Sequence, residues 1–249
     1  MVKGLSKAEA VLLFVADLPG GEPLFKALLA DKGVDPNITQ QDGFTALICA
    51  ALLGHAPVVT LLLADERVDP NIADQDSDTA LMFAALHGHA SVVTLLLADD
   101  RLDPNMANQD GATALIFAAN EGDASVVTLL LADERVDPNI ADQNGATALT
   151  LAAYKGHALV VTLLLADERV DPKIADQDGA TALTLAAYYG HASLVALLLA
   201  DGRLDPNIAD ANIAGQKGST ALILAALKGR ASVVTLLLAD ERVDPNIAD

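Results

Sequence analysis

Histidines and carboxylates are the residues of this chain best suited to chemistry, and both recur on a regular spacing. His55, His89, His157 and His191 fall in one slot of a repeating pattern, with His87 beside His89 as a local pair. Zinc needs its ligands about 2 Å from one point. Residues that recur once per stacked copy lie at least about 10 Å apart, a helix diameter. The four cannot share an ion, and the slot predicts a structural role at a turn between helices. Asp65, Glu66, Asp69, Asp74 and Asp76 fall within twelve residues, offset only by Arg67, and similar clusters recur. Oxygen ligands at that density suit calcium. The twelve-residue loop pattern of an EF-hand is absent, however, and Asp in turns commonly bonds nearby backbone.

Catalysis has no foothold: there is no phosphate-cradling Gly-rich loop after a strand, no His-Glu-x-x-His helix and no Ser at a nucleophile elbow. Cys49 occupies a helix slot filled elsewhere by Phe83, Phe117, Leu151, Leu185 and Leu224, which predicts a buried, inert thiol. The expectation is a protein that is not an enzyme, with no cofactor and no assigned metal site.

Charge narrows the partners. The 249 residues carry 34 acidic against 15 basic side chains, a net charge of −19, the wrong sign for nucleic acid or an anionic membrane surface. A lone cysteine cannot form an internal disulfide, and the first thirty residues lack a signal-peptide pattern. The expected compartment is the cytoplasm, with delivery into another cell left open. Segments 43–64, 79–98 and 180–200 are long enough and apolar enough to suggest membrane spans. Each has a Gly-His pair near its middle, which would put a helix break at the costliest depth. Two short helices joined at the Gly fit better.

The elements that position these residues are repeated. Thr-Ala-Leu begins at Thr45, Thr79, Thr113, Thr147, Thr181 and Thr220, and Asp-Pro follows the same rhythm from Asp35 to Asp244; an Asn follows the Pro in every copy except at Lys173. The spacing is 34, and 39 at the last step. The copies starting at Thr113 and Thr147 match at 26 of 34 positions, as stacked supersecondary units would.

In the copy 147–180, Thr147 suits an N-cap, a short helix runs to Gly156, and a second helix carries Leu159 to Leu165 and ends near Asp167. Pro57 falls in the first turn of another copy's second helix, where no amide bond is lost. An extended Asp171-Pro172 stretch leads to Gln177-Asp178-Gly179, a tight-hairpin signal. One copy buries too little apolar surface to offset the entropy of ordering it, so neighbours must stack.

The order Asp-Gly-x-Thr-Ala-Leu-x-x-Ala-Ala-x-x-Gly-His-Ala-x-Val-Val-x-Leu-Leu-Leu, carried over 178–199 with Leu194 at the first Val, resembles the ankyrin repeat. The resemblance implies an all-α repeat solenoid of helix-turn-helix units with protruding β-hairpins, and a function in protein binding. Two departures stand out. Where the family has Thr-Pro-Leu-His, this chain has Thr-Ala-Leu followed by Ile48, Met82, Ile116, Thr150, Thr184 or Ile223. Its period is one residue longer than the usual 33.

Residues 1–38 read as an N-terminal capping repeat, with a capping box at Ser6 to Glu9, a break at 19–21 and a helix begun near Pro23. Residues 39–249 read as six tandem repeats of one continuous solenoid, ending in a truncated hairpin. The last pair keeps the interior-type residues Val233, Val234, Leu236, Leu237 and Leu238, so the reading includes a longer array or self-association through that uncapped end. The residues at 207–216 are nearly a local duplication, which lengthens one hairpin.

Variation within the chain marks a candidate site. The last two residues of the first helix are Leu52-Leu53, Leu86-His87, Asn120-Glu121, Tyr154-Lys155, Tyr188-Tyr189 and Leu227-Lys228, and all three tyrosines of the chain lie in this row. Stacking would place the row on a concave side beside the hairpin tips. Tyr favours interfaces, and the family characteristically binds proteins through this surface. The expected function is a scaffold binding another protein there. The alternatives are an acidic array stabilised by calcium or weaker divalent-cation binding, and an engineered or recently duplicated scaffold without a physiological partner.

Overall fold

The computed structural model describes residues 22–208, 211–213 and 216–247. The capping box at Ser6 to Glu9, the break at 19–21 and parts of the duplicated segment and the final loop lie outside them. The helices are α1 (Glu22–Ala30), α2 (Ala46–Leu52), α3 (Ala56–Leu63), α4 (Ala80–Leu86), α5 (Ala90–Leu97), α6 (Ala114–Glu121), α7 (Ala124–Ala132), α8 (Ala148–Lys155), α9 (Ala158–Ala166), α10 (Ala182–Tyr189), α11 (Ala192–Ala200), α12 (Ala221–Leu227) and α13 (Ala231–Ala239). Strands β1 (Ala211–Ile213) and β2 (Gln216–Ser219) precede α12.

Each first helix starts on a threonine whose side chain accepts from the amide three residues on, as Thr45 does from Ile48 at 3.2 Å. This satisfies one of the unpaired donors of a helix start. The departures after Thr-Ala-Leu find their explanation here. Ile48, Met82 and Ile116 are buried, while Thr150 and Thr184 return the cap: their hydroxyls accept from the Thr147 and Thr181 amides at 2.7 and 2.8 Å. Gly156 closes α8 at φ +85°, the left-handed region that favours glycine.

The chain divides into two compact units, residues 1–117 with 128–136, and residues 118–127 with 137–249. In the first, α2 packs on α3 and α4, and α3 on α5. In the second, α8 packs on α9 and α10, α10 on α11 and α12, and α11 on α13. Both cores are built from the same letters: the Ala-Ala pairs of first helices (Ala50-Ala51, Ala152-Ala153) and the Val-Val-x-x-Leu of second helices (Val58, Val59 and Leu62; Val160, Val161 and Leu164) are buried. Small alanines let helices approach closely, and the branched residues fill the layer between copies. On α13, Val233 and Leu237 are buried, Val234 and Leu236 are half-buried, and Leu238 is exposed.

The connections differ in detail from a row of regular hairpins. Among the described residues, only β1 and β2, in the lengthened copy, form an antiparallel ladder. The copies ending at Thr79 and Thr147 each make a single bridge pair. Side chains reinforce these loops: Asp142 Oδ1 accepts from the amides of Asn144 and Ala146, both at 2.8 Å, beside the backbone bond from the Asp142 amide to the Ala146 carbonyl.

Candidate functional site

Three sets of side chains stitch copies together within each unit. The first is the histidine slot. His89 Nε2 donates to the Leu52 carbonyl at 3.0 Å, His157 to Asn120 at 3.0 Å and His191 to Tyr154 at 3.2 Å. Arg230 replaces histidine in the last copy and its Nε reaches the Tyr188 carbonyl at 3.2 Å. Each ring lies against a glycine turn; a Cβ on Gly156 would come within 2.8 Å of His191. The slot is structural, as its spacing predicts.

The second set lies in the Asp-Glu-Arg-Val-Asp-Pro-Asn connection. Arg101 pairs with Asp99 at 2.6 Å and donates to the carbonyls of Val68, Glu66 and Leu63 in the preceding copy. Arg67, Arg135, Arg203 and Arg242 repeat the arrangement on their own predecessors. A guanidinium thus covers the carbonyl of a helix end, Leu63, together with carbonyls of the connection that follows it. Hydrogen bonding to the arginine holds the carboxyls of Asp65, Asp99, Asp167, Asp201 and Asp240 below the usual range. The third set is asparagine: Asn71 Nδ2 donates to the Arg101 carbonyl at 2.8 Å, and its Oδ1 accepts from the Asp103 amide at 2.7 Å. Sequence reasoning missed both sets, although the fixed Asp-x-Arg and Pro-Asn spacings carried the signal.

Local partners also occupy three of the five clustered carboxylates. Asp65 is paired with Arg67, Asp69 accepts from the Asn71 amide, and Asp74 accepts from the amides of Asp76 and Asp78. Among the described residues, no group of three His, Cys, Asp or Glu side chains is placed to hold one metal ion. Cys49 is half-buried rather than buried, with Gln40 Nε2 donating to its Sγ at 3.7 Å. Its slot sits at the edge of the helix layer, where Phe83 and Leu151 are also half-buried.

The row at the first-helix ends is more exposed. Leu52 and Leu86 are half-buried, Leu53 is exposed, and the His87 ring is stacked on His89 at 6.0 Å. The half-buried Asn120 donates to Glu121 at 2.8 Å. In the second unit the row converges. Tyr154 and Tyr189 are 39% and 38% exposed and meet edge to face at 4.8 Å, with Tyr188 edge-on to Tyr189 at 5.0 Å. Lys155 lies 5.6 Å from the Tyr154 ring centre, and Lys228 lies 4.5 Å over Tyr188. Leu227 is exposed. Tyr188 departs from a purely surface role: it is half-buried against Ala180, Leu185 and Leu224, because α12 packs over that side of α10.

Beside these rings is a cleft of about 290 Å³. Tyr154 and Tyr189 form one wall; the loop residues Asp142, Asn144, Asp176 and Asp178 form another. Burial pushes the Asp176 carboxyl up, against the two amides that bond it. Burial and the adjacent Tyr154 push the Tyr189 phenol up. The sequence marked these loop residues only as turn formers.

The family model described as ankyrin repeats in three copies matches residues 12–108, 101–176 and 160–249. None of the curated proteins matches the chain. The crystal structure of EF0377, an ankyrin repeat protein, is similar at 27% identity over 80% of this chain and 98% of that one, with a TM-score of 0.70. The ankyrin repeat domain of Bcl-3, a member of the IkappaB protein family, aligns at 24% identity over 94% of this chain and 98% of that one, with a TM-score of 0.76. Among the described residues, no helix is long and apolar enough to cross a membrane. Repeats capped by threonine, turned at glycine and bridged by histidine, arginine and asparagine account for the match along the sequence: the chain belongs to the ankyrin repeat family.

Proposed function

We propose that this chain is a scaffold that binds a partner protein through the row of first-helix ends and the adjoining loop tips. Ankyrin repeats are protein–protein interaction modules and in general non-catalytic, which supports the class of function. The observation that carries the specific surface is the pair Tyr154 and Tyr189: large rings left more than a third exposed, in the positions where otherwise near-identical copies differ. Rigid aromatic side chains with a polar tip give contact area at low entropy cost.

The test is capture of binding proteins from a lysate by the full chain and by Tyr154→Ala/Tyr189→Ala. Tyr188 is left intact because it packs against Leu224. The double variant is expected to keep its melting transition and lose captured partners. Undiminished capture by a folded double variant would remove this surface from the proposal.

A further inference from the structure

Within that reading, the cleft beside Tyr154 and Tyr189 has a chemistry of its own. Its lining includes three carboxylates, Asp142, Asp176 and Asp178, and no lysine or arginine. At about 290 Å³ it takes one long side chain with its water rather than a helix, whose diameter alone is about 10 Å. It is open because the loop residue preceding the N-cap threonine is small. Ala146 and Ala180 stand where the first copy has Phe44, and there the Phe44 ring is packed on Phe83 at 5.3 Å.

The aromatic row already shows what it attracts. Lys228 lies over the Tyr188 ring and Lys155 beside Tyr154, so two of the three rings hold a cation from their own chain, as the negative face of an aromatic ring favours. Asp176 commits its Oδ1 to the amides of Asp178 and Ala180; among the described residues its Oδ2 accepts no loop amide. A net charge of −19 draws positive partners from a distance.

We infer that this cleft is a socket for a basic side chain, arginine or lysine, of the partner protein, with the cation set between the Asp142 and Asp176 carboxylates and the exposed tyrosine rings. The inference rests on the proposed binding surface and adds the chemical class of the residue that anchors there. A bound cation would also relieve the cost of holding the Asp176 carboxylate in a partly buried site.

Isosteric removal of charge is available because the fold already uses it. Asn108 holds the equivalent loop of the first unit, its Oδ1 accepting from the amides of Asp110 and Ala112 at 3.0 and 2.9 Å. Asp142→Asn/Asp176→Asn therefore keeps the loop and removes only the charge. An unbiased library of displayed twelve-residue peptides is panned against the full chain, and each enriched peptide is measured against three folded variants. These are Asp142→Asn/Asp176→Asn, Tyr154→Leu/Tyr189→Leu, and the charge-matched control Glu66→Gln/Glu168→Gln in loops away from the cleft.

Enriched peptides are expected to carry arginine or lysine, to lose about tenfold in affinity in each of the first two variants, and to be unaffected by the control. Peptides without basic residues that still lose binding to the tyrosine variant would overturn the socket and leave the binding surface standing. Peptides indifferent to both cleft variants would overturn the surface as well. Equal loss in the control would show general charge attraction and overturn the socket, as would the absence of any enrichment.

Discussion

The outward connections and the first-helix ends of each copy follow opposite rules. In the connections, Asp99-Asp100-Arg101 and its equivalents bond to the backbone of the preceding copy, and Asn71 and its equivalents to that of the next. In the first-helix ends, side chains meet mainly other side chains: ring on ring, or lysine on ring. A bond to a neighbour's carbonyl demands a donor of one shape at one place, so the residue type recurs. A contact among exposed side chains demands much less. The difference supports the proposed binding surface, because what the stack does not need is what a partner can use.

The sharpest break on the framework side is Gly156→Val. A side chain at φ +85° costs about 1–2 kcal/mol by itself, and this one would displace His191 from its contact. A loss of about 3 kcal/mol in urea unfolding is expected; a loss under about 1 kcal/mol would show that the turn relaxes freely.

Arg101→Ala should cost about 2 kcal/mol at neutral pH, since it strips partners from three carbonyls and from Asp99. The folded Asp99 carboxyl titrates below its unfolded range. Its contribution is therefore present above the unfolded value, about 3.9, and is lost as pH falls through the folded one. The gap between wild type and variant should narrow in acid. A gap constant from pH 7 to pH 3 would assign the effect to the carbonyl bonds alone.

Within the row, Tyr188→Ala should cost about 1.5 kcal/mol through lost packing on Leu185 and Leu224, and Tyr154→Ala less than half of that. Equal costs would erase the distinction between packing and recognition drawn here. The smallest change is a gain. Lys173 stands where the other copies place the bridging asparagine, and its amide bonds its own loop's Asp171. Lys173→Asn should supply the missing bridge, raise stability by about 1 kcal/mol and leave partner binding unchanged.

Much of this was legible in advance. The period, the threonine caps, the turn at Gly156 and the second helix ending at Asp167 follow from rules that act within a few residues. The role of the histidine slot followed from spacing alone. The carboxylates kept calcium open as an alternative because, in a list of residues, an Asp satisfied by an arginine two positions on looks the same as an Asp awaiting calcium. The long-range bonds of Arg101 and Asn71 were written in the fixed spacings, but a repeated letter does not say whether it is kept for its helix, its loop or its neighbour.

Local rules acting on neighbouring residues dictate the copy: its helices, their ends, and the need for neighbours, since 34 residues with so few large side chains cannot order alone. Packing between copies governs which tyrosine is walled in by the next helix and which stand open, and that Ala146 leaves room where Phe44 takes it. Those outcomes depend on what the adjacent copy presses against a residue, and side chains about 34 positions apart meet only when the copies have stacked.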